Sequence, residues 1–341
     1  MQLEINTALT WRPLSWRPVP IVLSHLNDLC PASQRLNGAL DTLADALLIE
    51  PVSVPDVLTL GEFARLRPEA VILQCPLSEA SLDDIRTIKA HTQALRLCDM
   101  DQYPPSAERL PGAPLAQQLR DGLETSLALM DKVVVSSPGL ANELSALHPH
   151  IEVIETRLSE RWQRVQCHSL PHDKPRVGWV GTQAEVNDLA LIADVIEAFA
   201  DRVEWIIMGP CPQALRPYVH EWRSPMEGVL YPGVLACLDL DVALIPADHD
   251  VFGEHRSCRL ALEFGACGYP VIATDVQGLR NNLPLTRVQN TTAAWTDAID
   301  QHLNDLDESK RLGQALKQRV MSDWTMDEAY LQRWRQVLLD R

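Results

Sequence analysis

The sequence predicts an α/β protein in which two doubly wound, Rossmann-like domains face a central cleft. Short apolar runs alternate with segments of helical periodicity along the whole chain, which is typical of parallel sheets covered by helices. The length of 341 residues suits two domains, each with a core of its own. Residues 168–175 contain two prolines and little apolar content, and they separate two series of such runs as a linker would.

The first series of runs predicts an N-terminal domain over residues 1–170. Its strands are expected at residues 21–24, 46–49, 70–74, 95–98, 132–136 and 151–154. Helical stretches lie between the strands, for example at residues 36–47 and 115–130. Because strands and helices alternate, the strands are expected to run parallel in one sheet.

The second series predicts a C-terminal domain over residues 171–325. It opens with a strand at residues 176–180, a turn at Gly181 and Thr182, and a helix to about Phe199. Further strands are expected at residues 204–208, 242–246, 271–274 and 286–289. A final helix over residues 326–341 carries an apolar stripe that consists of Tyr330, Leu331, Trp334 and Leu338.

The charge and the cysteine content argue against several classes of protein. A formal net charge of −16 and a pI near 5.0 disfavour nucleic-acid binding and broad attachment to an anionic membrane. The eight cysteines include no CxxC pair, which disfavours a zinc ribbon or a redox pair. The N-terminus has no signal-peptide character and no apolar run is long enough to span a membrane. We therefore expect a cytoplasmic protein with reduced thiols.

Residues 255–275 carry the strongest functional signal. They predict a short apolar helix, a glycine turn and a buried strand, with Arg256 and Ser257 opening the helix and Glu263 two turns further on. A cation at the positive end of a helix, with an acid on the same face about 10 Å away, matches the phosphates and ribose of a nucleoside diphosphate. Two structural alternatives stay open: Arg259 could pair with Glu263 at i,i+4 spacing, and Arg256 could be a solvated residue before a serine N-cap.

Two glycine turns are expected at one edge of the second sheet. Gly181, followed by Thr182, ends the strand at residues 176–180, and Gly209 ends the strand at residues 204–208. Glycine permits close approach of the backbone to a phosphate, and the helix that follows offers free N–H groups. Alternatively, each glycine is needed only for a tight turn. The chain lacks GxGxxG here, which argues against an NAD site.

Paired aspartates follow two of the predicted strands. Asp99 and Asp101 follow one strand of the first domain, and Asp248 and Asp250 follow one strand of the second. Such pairs hold Mg²⁺ or Mn²⁺ against a diphosphate in metal-dependent sugar transferases. In a chain this rich in aspartate, however, several such triplets arise by chance. We therefore predict that the protein uses neither a bound metal nor another cofactor.

Four segments of the C-terminal half resemble retaining glycosyltransferases of the GT-B fold. They are RVGWVGT at residues 176–182, VEWIIMGP at residues 203–210, the run at residues 238–275 and the helix around Trp295, in the family's order. The chain is most similar to the subgroup found in bacterial O-antigen and surface-glycan clusters. Its N-terminal half resembles the acceptor-side domain more weakly, through AVILQ, CDMD and KVVVSSPGLANEL. The resemblance also implies that residues 326–341 pack back on the N-terminal domain.

The resemblance implies roles for individual residues. Arg256 and Ser257 stand where the subgroup usually has Lys-Ser against the diphosphate, so Arg256 is the expected catalytic cation. Glu263 matches the acid that binds the donor ribose. Asp101, in the N-terminal domain, is the expected base for the acceptor. The expected donor-binding residues are Gly181, Thr182, Gly209, Asp250, Arg256, Ser257 and Glu263.

Two positions depart from the family pattern. The family has two glutamates separated by seven residues, whereas position 255 is His255 and Glu254 lies one place off. The subgroup tends to have adjacent aspartates, whereas Met100 separates Asp99 from Asp101 here. These departures leave a catalytically silent, glycosyltransferase-like scaffold subunit as an alternative.

The expected activity is transfer of a sugar from a UDP-, GDP- or dTDP-linked donor to a glycan, a lipid-linked glycan or a protein hydroxyl. The resemblance implies retention of configuration and catalysis without a metal. A nucleotide-sugar epimerase of GT-B fold is a further alternative, which would convert the donor without any acceptor. A peripheral contact with the inner membrane or with a glycan-assembly complex is compatible with the expected activity.

Overall fold

Two parallel sheets form the framework of the protein. The computed structural model describes residues 21–25, 34–43, 48–52, 67–77, 79–110, 112, 114–167, 171–226 and 228–340. Within these ranges, twelve strands form two six-stranded sheets, and every pair of neighbouring strands is parallel. The predicted α/β class with two doubly wound, Rossmann-like domains is confirmed.

The first sheet lies in the N-terminal domain and has the order β2-β1-β3-β4-β5-β6. Its strands are β1 Ile21–His25, β2 Leu48–Val52, β3 Ala70–Gln74, β4 Leu95–Met100, β5 Lys132–Val135 and β6 Ile151–Val153. Its helices are α1 Gln34–Leu43, α2 Glu79–His91, α3 Ala116–Leu127 and α4 Pro138–Leu144. The strand predicted at residues 46–49 begins later, at Leu48, and the helix predicted to residue 47 ends at Leu43 among the described residues; residues 44–47 lie outside them.

The second sheet lies in the C-terminal domain and has the order β12-β11-β10-β7-β8-β9. Its strands are β7 Arg176–Val180, β8 Glu204–Met208, β9 Glu221–Arg223, β10 Val242–Ile245, β11 Val271–Thr274 and β12 Thr286–Val288. This is the Rossmann strand order, in which the direction of winding reverses between β7 and β10. Ligands of such sheets bind at this switch point, beyond the carboxyl ends of the strands.

The helix predicted to run from the Gly181 turn to Phe199 is interrupted. A 3₁₀ turn at Gln183–Glu185 leads into α5 Val186–Ala190, and α6 Ala193–Phe199 follows after a break. At the break, the N–H groups of Leu191 and Ile192 bond to carbonyls three residues back instead of four. The tighter turn buries the Ile192 side chain in the domain core, which compensates for the lost helical bonds.

The remaining helices cover the C-terminal domain and return to the N-terminal one. They are α7 Tyr231–Ala236, α8 Val251–Glu254, α9 Arg259–Cys267, α10 Thr292–Asn304, α11 Leu306–Asp323 and α12 Glu328–Leu339. The last helix, α12, packs on α1 and β4, where Trp334 and Leu338 are fully buried beside Leu36 and Leu97. The boundaries of the two domains stay predictions.

Candidate functional site

Two glycine turns meet at the carboxyl ends of β7 and β8 in the second sheet. The N–H of Gly181, after β7, donates to the carbonyl of Met208 at 3.1 Å. Gly209, after β8, has φ +125, and a Cβ there would lie 2.1 Å from the Gly181 carbonyl oxygen. Only glycine fits a position with this φ and this close approach. The two turns therefore adjoin, as expected from their positions at the ends of neighbouring strands.

Arg256 lies beside this edge, but not in the predicted helix. The side chain of Asp250 accepts a hydrogen bond from the Gly253 N–H and so starts a separate short helix, α8. Helix α9 begins only at Arg259, with Cys258 rather than Ser257 as its N-cap. The prediction that Arg256 and Ser257 open the helix is therefore wrong, because the chain turns between α8 and α9.

The Arg256 guanidinium is buried and holds a carboxylate. The residue is 4% exposed, and it donates to the Pro246 carbonyl and to Glu185 Oε1, both at 2.8 Å. The other oxygen of Glu185 accepts from the Thr182 backbone N–H at 2.8 Å and from its hydroxyl at 3.0 Å. A second acid, Asp188, lies 3.8 Å from Arg256. Thr182 of the predicted phosphate loop and Arg256, the predicted phosphate cation, therefore both contact the carboxylate of Glu185.

A second arginine reaches this site from the other domain. Arg109, in the segment between β4 and α3, donates to both carboxylate oxygens of Asp250 at 2.5 and 2.7 Å. It also donates to Asp188 at 2.9 Å and lies over the Phe252 ring at 4.6 Å. Arg109 belongs to the N-terminal domain and contacts acids of the C-terminal domain, and it is only 4% exposed. We call Arg109, Glu185, Asp188, Asp250 and Arg256 the cleft network.

Burial and neighbouring charges shift the pKa of two members of the cleft network, Asp188 and Arg109. It raises the pKa of Asp188 above its ordinary value, although Arg256 and Arg109 act in the opposite direction. Burial lowers the pKa of Arg109, but the hydrogen bonds and charges of Asp250 and Asp188 outweigh this effect and raise it. Arg109 therefore stays charged at neutral pH.

The predicted ribose-binding acid, Glu263, is enclosed within the C-terminal domain. Its carboxylate is fully buried and accepts from Arg259 at 2.9 and 3.0 Å and from the Tyr231 hydroxyl at 2.8 Å. The i,i+4 pair with Arg259, the structural alternative, is therefore formed. Burial raises the pKa of Glu263, against the lowering effect of Arg259. We call Tyr231, Arg259 and Glu263 the Glu263 cluster.

The predicted acceptor-side acid, Asp101, is linked through Thr156 to Ser257 of the C-terminal domain. The Thr156 hydroxyl donates to Asp101 Oδ1 at 2.8 Å and lies 3.2 Å from the Ser257 hydroxyl. Thr156 thus joins two predicted site residues that come from different domains. The Asp101 side chain is 17% exposed, and Arg35 approaches it at 3.6 Å.

His255 also lies between the domains. Its Nε2 is 3.7 Å from the carboxylate of Glu143 on α4, and its buried Nδ1 has no hydrogen-bond partner among the described residues. The residue is 7% exposed. At the position where the resembling family has an acid, this chain therefore has a buried imidazole that faces an acid of the opposite domain.

The described residues contain neither a cluster of metal ligands nor a helix that could span a membrane. No group of three or more His, Cys, Asp or Glu side chains there could hold a metal ion. The two aspartate pairs instead contact arginines: Asp99 and Asp101 approach Arg35, and Asp248 and Asp250 approach Arg109. Among the same residues, no helix has both the length and the apolar character needed to cross a bilayer.

Arg109 and Glu185 are site residues that sequence reasoning missed. Arg109 pairs with an acid 141 positions away, and no local pattern marks such a partner. Glu185 had a signal in the spacing Thr182-x-x-Glu185, which is typical of a capping box. That signal predicts the contact with Thr182, but not the contact with Arg256.

The fold of this chain matches solved structures, although its sequence matches neither a family model nor a curated protein. TarM superposes with a TM-score of 0.58 at 13% identity, over 83% of this chain and 57% of TarM, so this chain spans less than two thirds of that protein. A glycosyltransferase from Rickettsia africae superposes with a TM-score of 0.63 at 12% identity, and the match covers 94% of this chain and 98% of that protein. HepE from Anabaena, in complex with UDP, superposes with a TM-score of 0.64 at 11% identity, and the match covers 94% of this chain and 99% of HepE. The chain therefore has the GT-B fold.

Proposed function

We propose that the protein is a glycosyltransferase that moves a sugar from a nucleotide-sugar donor to a glycan, a lipid-linked glycan or a protein hydroxyl. One observation carries the proposal: Thr182 and Arg256 both donate hydrogen bonds to the carboxylate of Glu185, at the switch point of a Rossmann-like sheet. This is the place where such sheets bind phosphorylated ligands. HepE, which has the same fold, binds UDP.

In the proposed reaction, Arg256 stabilises the diphosphate that leaves the sugar. A buried guanidinium can donate two hydrogen bonds to phosphate oxygens, and it is oriented before the reaction starts. The reaction then needs no metal or other cofactor. Ser257 adjoins the same phosphates. A ribose contact of Glu263 requires the donor to take a carboxylate oxygen from Arg259 or Tyr231, which hold it in the Glu263 cluster. We propose retention of configuration, as in the resembling family.

The acceptor is proposed to enter from the N-terminal domain. Asp101 is a carboxylate of that domain that reaches Ser257 of the C-terminal domain through the hydroxyl of Thr156. It would accept the proton of the acceptor hydroxyl. Arg109 connects the two domains through Asp188 and Asp250, so that closure excludes water and limits hydrolysis of the donor.

The test is substitution of the proposed catalytic cation. Arg256→Ala should lower kcat/KM for the donor by about 100-fold or more, because one preorganised charge at the leaving group is lost. Arg280→Ala removes an exposed arginine of the same domain and should leave turnover unchanged. Thermal melting of both variants reports whether the fold is retained. Full activity of a folded Arg256→Ala protein would contradict the assignment.

A silent scaffold subunit is the second candidate function. The observation that favours it is that Arg256 and Glu263 each pair with an oppositely charged side chain of the protein itself. Calorimetry with a panel of UDP-, GDP- and dTDP-sugars distinguishes the two, because a scaffold should bind none of them. Conversion of the donor in the absence of acceptor would instead indicate an epimerase.

A further inference from the structure

The Glu185 carboxylate lies between Thr182 and Arg256 and contacts both. One oxygen accepts from the backbone N–H and the hydroxyl of Thr182, and the other accepts from the guanidinium of Arg256. All three contacts are 2.8–3.0 Å long, and the Glu185 side chain is only 7% exposed. The carboxylate is therefore fixed within the site and is not a mobile surface group.

These three donors are of the kind that bind phosphate oxygens. A backbone N–H at a turn, a hydroxyl and a guanidinium each donate to anionic oxygen, and arginine binds carboxylate and phosphate with the same geometry. They also lie at the switch point, between the ends of β7 and β10. An acid side chain thus occupies the place that the sheet offers to an anionic ligand.

We propose that Glu185 occupies the position of a donor phosphate and thereby sets the affinity of the protein for its donor. The proposal rests on the proposed function, since it takes Thr182 and Arg256 as the phosphate-binding groups. The diphosphate binds by displacing the Glu185 carboxylate from both partners. Because two anions cannot share the same three donors, donor binding and the Glu185 contact exclude each other.

The competition lowers the measured affinity of the site. A protein whose binding-competent state is only a fraction of the population shows an affinity reduced by that fraction. The acids next to Glu185, Asp188 and Asp250, make their shortest ion-pair contacts with Arg109, at 2.9 and 2.5 Å, whereas Asp188 lies 3.8 Å from Arg256. Removal of the Glu185 charge alone should therefore free Arg256 and strengthen binding of a diphosphate.

The test measures diphosphate binding to Glu185→Gln by isothermal titration calorimetry in buffer without divalent cations. The probes are inorganic pyrophosphate, which makes the result independent of the base, and UDP. Glutamine keeps a neutral oxygen for Thr182 but removes the negative charge from Arg256. We expect binding at least about ten-fold tighter than in the wild type, since the competing anion is lost.

The matched control is Glu254→Gln. Glu254 carries the same charge two positions before Arg256, but it contacts His249 and the Gln277 N–H instead of the site. This variant should bind pyrophosphate as the wild type does. Equal gains in both variants would overturn the proposal, because they would indicate a general effect of net charge.

The outcomes separate the proposal from the function on which it rests. If the wild type binds UDP and a folded Glu185→Gln protein binds it no more tightly, the inference fails alone. If neither protein binds UDP or pyrophosphate, the inference and the proposed function both fail. Should the variant not fold, a crystal structure of the wild type with UDP decides: phosphate on Arg256 with Glu185 displaced supports the proposal, and a retained Glu185–Arg256 contact overturns it.

Discussion

Arg256 and Arg259 are three positions apart and have opposite surroundings. Arg256 belongs to the cleft network, whose members come from both domains and include Asp250, with a side chain that is 42% exposed. Arg259 belongs to the Glu263 cluster, whose members all come from the C-terminal domain around a carboxylate with no exposure. The network has three acids for two arginines, whereas the cluster has one acid for one arginine.

This difference indicates which of the two sets of ion pairs a ligand can rearrange. The Glu263 cluster is closed, because every oxygen of its carboxylate has a partner on the same rigid core. The cleft network depends on how the two domains meet and has a surplus of negative charge. We therefore expect the cluster to determine the stability of the C-terminal domain and the network to respond to ligand and to domain closure.

The largest expected effect follows from removing the acid of the cluster. Glu263→Ala leaves a cavity at a fully buried position and removes the acceptor of Arg259 and of the Tyr231 hydroxyl, and should lower the free energy of unfolding by about 3–5 kcal/mol. Glu185→Gln keeps the side-chain volume and one acceptor oxygen, while Asp188 stays 3.8 Å from Arg256, and should cost only about 1–2 kcal/mol. Urea unfolding of both variants measures the difference. Similar losses would mean that the two sites do not differ as we describe.

The link between the domains should show as a coupling energy. A double-mutant cycle of Arg109→Ala and Asp188→Asn should give about 1–3 kcal/mol, because the two side chains form a buried ion pair. In the double variant, neither charge is left buried without its partner. Chemical unfolding of the wild type, both single variants and the double variant supplies the four values. Additive effects would show that the contact contributes nothing to holding the domains together.

A smaller effect should appear in the pH dependence of stability. The pKa of Asp188 is raised above its ordinary value of 3.8, so the folded protein binds this proton more tightly than the unfolded chain. The contribution of Asp188 to stability is full below pH 3.8 and is lost as the pH rises through the raised pKa. The stability of the wild type relative to Asp188→Asn should therefore fall over this window and level off above it. A difference that rises with pH would contradict the sign of the shift.

The smallest effect concerns the two ends of α9 and leaves stability unchanged. A hydrogen bond from Cys267 lowers the pKa of Cys167 to about 7, with Lys317 acting in the same direction and burial opposing both. At the start of the helix, burial raises the pKa of Cys258 far above its ordinary range. Iodoacetamide should therefore alkylate Cys167 with a midpoint near pH 7, while Cys258 stays unmodified. Peptide mass spectrometry over a pH series measures both rates.

Sequence alone predicts those parts of the fold that depend on local pattern. The bounds of β3, β7, β8 and β11 match the predictions, because strands buried on both faces appear as continuous apolar runs. Strand β9 was not predicted, since it has only three residues, Glu-Trp-Arg, at a sheet edge. Residues 168–170 of the predicted linker lie outside the described residues.

The candidate site is predicted only in part, for a physical reason. The meeting of Gly181 and Gly209 follows from the geometry of parallel strands, and the pair of Arg259 with Glu263 follows from helical spacing. The start of α9 was predicted wrongly, because Asp250 caps a separate helix, α8, and the chain turns before α9 begins at Arg259. Arg109 acquires its role only when the two domains come together, and no segment of the sequence encodes that meeting locally.

The contact of α12 with the N-terminal domain has a consequence for biosynthesis. Trp334 and Leu338 complete a core that also contains Leu36, Leu97 and Val134. The N-terminal domain therefore cannot close this core until the ribosome has made and released α12. The C-terminal domain draws its main core from a nearly continuous stretch, so we expect it to reach its native packing first, although it is synthesised second.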